Sequence, residues 1–218
     1  VPSQIAELTK LHTLDLAGNN LVTLPEGMSQ LIQLEHLDLA SNLLQLLPEK
    51  LDQLLKLRYL DCFSNQLTLL PATLSKCKHL HTLRLGENEL KKLPEEIGSL
   101  RNLHLLDLSN NNLEKLPISI IKLTHLEEIH LIGNLLDIPF QKISKWVYQP
   151  ADLLSFIATE EKQRLAESSA HSKAEKSKEA HVNINYNFLL KLFLELTDEQ
   201  KIKLNKNLQA INTVARTG

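Results

Sequence analysis

Prolines stand at positions 2, 25, 48, 71, 94 and 117, a constant step of 23 residues, and Pro139 follows one residue early. A fixed period between 20 and 50 residues is the mark of a chain built from stacked units, each unable to bury its apolar side alone. Aligned at this step, the first unit reads Leu11, Leu14, Leu16, Asn19, Leu21, Leu24, Pro25, and the second repeats it at Leu34, Leu37, Leu39, Asn42, Leu44, Leu47, Pro48. The third keeps the frame with Cys62 in a leucine column and Cys77 in another. The fourth and fifth run Leu80 to Pro94 and Leu103 to Pro117, and the sixth opens Leu126, Ile129, Leu131, Asn134, Leu136. The shared pattern is L-x-x-L-x-L-x-x-N-x-L-x-x-L-P.

Each Leu-x-Leu predicts a short strand with one face buried. Stacking the units joins their leucines into one continuous core. The Asn column turns the chain out of the strand, and its amide, donor and acceptor together, suits the backbone groups of adjacent turns that stacking would bury. Proline follows where no ladder donor is needed, because it has no N–H and a fixed φ. Segments such as Glu95-Glu96-Ile97-Gly98-Ser99 then form short helical turns on the outer side.

Over residues 1–140 this pattern resembles a leucine-rich repeat array, most similar in its period and L-P-x-x-I/L-x-x-L tail to the intracellular Ras-group type. The resemblance implies an α/β fold, a curved parallel-sheet horseshoe, here with a C-terminal helical extension, and a role in cytosolic signalling or scaffolding. Val1–Leu8 matches the tail of a unit whose strand is missing, and no initiator Met is present, so a longer parent with more repeats upstream, or with a cap that has been cut away, is expected.

Composition narrows the function. Of 218 residues, 24 are Lys or Arg and 26 Asp or Glu, for a net charge of -2. Nucleic acid and anionic membrane surfaces call for a basic excess that is missing, and no apolar run approaches the ~18 residues of a span. Both cysteines fall on core columns and read as reduced thiols in a reducing, cytoplasmic setting, with secretion as an effector left open. Cys77-Lys78-His79-Leu80-His81 invites a metal site, but the frame turns Cys77 inward and His81 outward. His36 with Asp38 and Asp61 offers a weak acid–base grouping in an open concavity. No phosphate loop, nucleophile elbow or zinc-protease motif occurs. No catalytic residue, metal or cofactor is therefore expected.

Beyond the array, residues 141–167 read as a cap and helix. Ile143, Trp146, Val147 and Tyr148 shield the last unit, and Pro150 and Asp152 open a helix over 151–167. Residues 168–181 are a polar linker or the tail of a solvated helix. Residues 182–218 form a helical hairpin, with Leu189, Leu192, Phe193 and Leu196 on one stripe and a capping box at Thr197–Gln200. That hairpin docks on the solenoid, dimerises or binds a partner helix.

The strand positions between the leucines face the hollow. One column is Thr13, His36, Tyr59, Thr82, Leu105, Glu128; the next is Asp15, Asp38, Asp61, Arg84, Asp107, His130; the third is Ala17, Ala40, Phe63, Gly86, Ser109, Ile132. Three successive carboxylates repel one another and favour a cation, although Leu-Asp-Leu is also the common form of this repeat. Arg84 makes either a lateral ion pair or an anion-seeking point. Tyr59 and Phe63 are the only aromatics before Phe140. They suggest an anchor patch of Tyr59, Phe63, Arg84, Leu105 and Ile132, with Glu35, Asp38, Asp61, Glu87, Asp107 and His130 as a polar surround. The competing account has Phe63 covering its neighbouring rung or packing on the C-terminal tail. The expected function is a non-enzymatic scaffold binding a protein partner on the concave face. The alternative is the interaction part of a larger signalling protein or microbial effector.

Overall fold

The computed structural model describes residues 1–136 and 150–175, with side chains in the second stretch up to residue 165. The expected aromatic cap at 141–149 and the hairpin at 182–218 lie outside the described residues. The chain divides into two compact units, Val1–Pro150 and Ala151–Gly218.

The first unit is a solenoid of six short parallel strands in sequence order: β1 (Thr13–Asp15), β2 (His36–Asp38), β3 (Tyr59–Asp61), β4 (Thr82–Arg84), β5 (Leu105–Asp107) and β6 (Glu128–His130). They are numbered here as rungs one to six. The register advances by one unit per rung, Leu14 opposite Leu37, Leu37 opposite Leu60, and so on to Ile129. Equivalent side chains therefore lie on adjacent rungs, about 4.8 Å apart. The inward strand leucines of rungs two to five, Leu37, Leu39, Leu60, Leu83, Leu85, Leu106 and Leu108, are fully buried. Leu11, Leu14, Leu16 and Leu21 of rung one, which have a neighbouring rung on one side only, are partly exposed. Burial here is a property of neighbours, as in any stacked repeat.

Each outer segment is a five-residue 3₁₀ turn: Ser3–Glu7, Glu26–Gln30, Glu49–Gln53, Ala72–Lys76, Glu95–Ser99 and Ile118–Lys122. The proline ahead of each has φ between -58° and -69°. Its carbonyl accepts the first turn bond, from Ile5, Met28, Leu51, Leu74, Ile97 and Ile120 in order. The ring thus presets the turn that its own carbonyl closes.

The asparagine column does what its chemistry suggested. Asn65 Nδ2 donates to the carbonyls of Cys62 and, one rung back, Leu39, while its Oδ1 accepts from Leu44 N–H. Asn42, Asn88, Asn111 and Asn134 repeat this bridge. Asn19 is exposed and bonds only Leu16 and Ala17 of its own turn.

Just past each strand, one residue per rung adopts the left-handed conformation: Gly18, Ser41, Ser64, Glu87, Asn110 and Gly133, with φ from 51° to 78°. For a residue with a Cβ this costs about 1–2 kcal/mol. Glu87→Gly therefore stabilises the protein, by about 0.5 kcal/mol once the greater freedom of glycine in the unfolded chain is subtracted. The denaturant midpoint measures the gain.

Helix α1 (Pro150–Glu175), which from Ala151 on belongs to the second unit, starts with Pro150 and has Asp152 in its first turn, both favourable at a helix N-terminus. It continues past residue 167, so the polar stretch begins as the tail of a helix rather than as linker. Thr159 Oγ1 donates to the Ser155 carbonyl, and Arg164 forms a two-pronged pair with Glu161.

Candidate interaction face

In these parallel strands successive amides point alternately to the two neighbours. Leu39 and Ser41 donate to Asp61 and Phe63 on the next rung, and the amide between them, Ala40, faces away from that rung. Asp38 Oδ1 accepts it at 2.9 Å. Asp15, Asp61 and Asp107 do the same for Ala17, Phe63 and Ser109. This is the physical reason for the Asp column. Among the described residues, no group of three or more His, Cys, Asp or Glu is placed to hold a metal.

At rung three the pattern becomes a network. Asp61 is only 2% exposed. Its Oδ1 holds Phe63 N–H at 2.8 Å. Its Oδ2 accepts Tyr59 Oη–H at 2.9 Å and Arg84 Nη1–H at 3.0 Å. Burial, followed by the bond to Asp61, raises the Tyr59 pKa, keeping the phenol protonated. Burial works against the Arg84 charge, but the Tyr59 and Asp61 oxygens outweigh it and raise its pKa. The Arg84 guanidinium carbon sits 5.6 Å from the Phe63 ring centre, within cation–π range. Tyr59 stacks on His36 of rung two, with centroids 4.1 Å apart and planes 4° from parallel.

Phe63 does not stand free. A Cβ built on Gly86 would come within 2.9 Å of two Phe63 ring carbons and 2.8 Å of Ser109 Oγ. The ring therefore lies over the backbone of rung four, and only a rung without a side chain can seat it. Phe63 does cover its neighbouring rung, yet Tyr59, Phe63 and Arg84 all keep part of their surface open.

The remaining expected residues are more scattered. Asp61 and Asp107, at 2% and 7% exposure, are internal supports and not an open rim; Asp107 also accepts the Ser109 hydroxyl. Leu105 lies two rungs from Tyr59, roughly 10 Å away, and Ile132 three rungs from Phe63, roughly 14 Å. Both fall outside the network, although Ile132 is 40% exposed. His130 pairs with Glu128 at 3.4 Å. Glu35 pairs with Arg58 at 3.4 Å. Asp38 is half-buried and Glu87 exposed. The residue that sequence reasoning left out of the patch is His36; its place one rung before Tyr59 in the same column was the available signal.

The cysteines are free thiols in the core. Burial raises the Cys62 pKa far above the ordinary thiol range and pushes Cys77 up to about 11. Cys77 Sγ points to the Leu51 carbonyl and His81 Nδ1 to the His79 carbonyl, so the two do not converge. No helix among the described residues is long and apolar enough to cross a membrane.

Comparison with known proteins agrees with this geometry. A family model described as leucine rich repeat matches residues 9–67, and one described as leucine-rich repeat region matches 62–145. Among solved structures, a leucine-rich repeat protein of Leptospira interrogans is 28% identical over 69% of this chain and 50% of its own, with a TM-score of 0.42. The plant peptide hormone receptor RGFR1, solved in complex with RGF2, is 27% identical over 64% of this chain and 27% of its own, at 0.54. A TDR receptor is 28% identical over 62% and 24%, at 0.58. The chain thus spans half or less of each of these structures. No curated protein matches it. Arrays of this kind are in general protein–protein interaction modules. The 23-residue register, the asparagine bridges, the single parallel sheet and the two family-model matches make the chain a member of the leucine-rich repeat family.

Proposed function

We propose that the protein is a non-enzymatic scaffold that holds a protein partner on the concave face of its sheet, with Tyr59, Phe63 and Arg84 at the centre and His36 beside them. The supporting observation is the prearranged network at rungs two to four. Asp61 fixes Tyr59 and Arg84, Gly86 seats Phe63, and all three side chains keep open surface. Such groups lose little ordering entropy on binding, and aromatic and arginine side chains are the usual anchors of an interface. Asp38 on rung two and Glu87 on rung four flank the centre, and Leu105, Ile132 and His130 lie on the outlying rungs, as secondary contacts. The buried thiols of Cys62 and Cys77 are suited to a reducing, cytoplasmic compartment. RGFR1, at 27% identity, shows a related array with a bound ligand.

Affinity capture from a cell extract tests the reading. Phe63→Ala and Tyr59→Ala should each deplete the captured partners about tenfold or more. Glu96→Ala, on the outer turn Glu95–Ser99, should leave them unchanged. Phe63→Ala keeps the backbone bond to Asp61, so circular dichroism should match the parent. A partner set indifferent to both aromatic substitutions removes the concave face from the function.

A further inference from the structure

Opposite charges are nearly balanced over the whole chain but not over the concave columns. There Asp15, Asp38, Asp61, Asp107, Glu87 and Glu128 face a single guanidinium, Arg84, while the whole chain has 26 acidic against 24 basic side chains. That guanidinium is already neutralised, because Asp61 holds it at 3.0 Å. Arg58, beside the sheet, is likewise paired, with Glu35. Among the described residues no cation lies in ion-pair contact with Asp15, Asp38, Glu87 or Asp107. The backbone amides engage one oxygen of each aspartate; the negative charge remains. The face thus presents a partly apolar aromatic centre, with its own cation cancelled, set among carboxylates without a paired cation on rungs one, two and four.

We propose that the segment bound on this face is basic: a protein segment in which an aliphatic or aromatic residue sits against Tyr59 and Phe63, flanked by Lys or Arg side chains reaching Asp15 and Asp38 on one side and Glu87 on the other. This deepens the function proposed above and rests on it. Two carboxylates on adjacent rungs, about 5 Å apart, repel each other. A partner cation placed between them relieves that repulsion and adds its own attraction. An acidic segment would meet like charge on rungs one, two and four, and Arg84, already bonded to Asp61, offers it little.

The charges are testable without disturbing the fold. Asp15→Asn and Asp38→Asn keep an oxygen to accept the Ala17 and Ala40 amides, and Glu87→Gln alters an exposed side chain. The probe is a random 16-residue peptide library displayed on phage, selected on the full chain, with the enriched peptides then synthesised for titration. Lys and Arg should be enriched around an apolar residue. The triple variant Asp15→Asn/Asp38→Asn/Glu87→Gln should bind these peptides roughly tenfold more weakly, and affinity should fall steadily with added salt. Phe63→Ala should weaken the same peptides. Peptides that need Phe63 and Tyr59 but are neutral or acidic, and ignore the triple variant, overturn the charge proposal and leave the concave-face function standing. Basic peptides indifferent to both sets of substitutions bind elsewhere and overturn both, as does a selection that enriches nothing above background.

Discussion

Asn65→Ala should lower the unfolding free energy by about 2–4 kcal/mol, read as a fall in the denaturant midpoint at unchanged slope. The Asn65 amide is buried and spans two rungs. Its oxygen is the recorded partner of the Leu44 amide, and its nitrogen serves the Leu39 and Cys62 carbonyls. Those carbonyls keep a second donor, because Asn42 also reaches Leu39 and Asn88 also reaches Cys62. The dominant loss is therefore one stranded buried N–H, at about 1–3 kcal/mol, with the weakened bridge added. Asn19→Ala is the control. Asn19 is exposed and touches no other rung, so its removal should cost less than about 1 kcal/mol. Equal losses at the two sites would show that the asparagine column acts as a local turn residue and not as a bridge.

Gly98→Ala should be at least as damaging, at about 3 kcal/mol or more. Gly98 lies in the outer turn Glu95–Ser99, and a Cβ there would fall on the backbone carbonyl of Ser119 in the next turn. The obstacle is main chain, which cannot swing aside without parting two turns. Gly18→Ala separates this clash from conformational strain. Gly18 has φ of 67° and nothing within 4 Å of a built Cβ, so it should lose only about 0.5 kcal/mol, the left-handed cost less the greater freedom of glycine in the unfolded chain. If Gly98→Ala costs no more than Gly18→Ala, the close approach of the outer turns is not what holds glycine there.

The solenoid could be read almost entirely from the columns, because each depends on one physical requirement repeated six times. Leucine needs a neighbour to be buried, proline needs a turn without a donor, and asparagine needs backbone on two rungs. The interaction face was less legible, because it depends on what differs between rungs. The column of aspartates gave no hint that each would take an amide two residues on; that follows from which way the strand amides point. Asp61 looked like an accessible acid until Tyr59 and Arg84 closed over it from the same rung and the next. Leu105 and Ile132 were grouped with the aromatics for their apolarity alone, and two or three rungs of separation undo that grouping. Phe63 and Gly86 were adjacent in one column, yet only the side-chain position shows that the second exists to receive the first.

A sheet whose backbone repeats at every rung has a drawback for any ligand: shifted by about 4.8 Å, it meets the same main-chain framework again, and only the side chains tell one seat from the next. Among rungs one to five, Arg at residue 84 in the Asp column and Phe at residue 63 in the column of small side chains break that translational degeneracy on two adjacent rungs. In the proposed complex these two side chains would act as an index mark, setting where along the axis a bound molecule comes to rest.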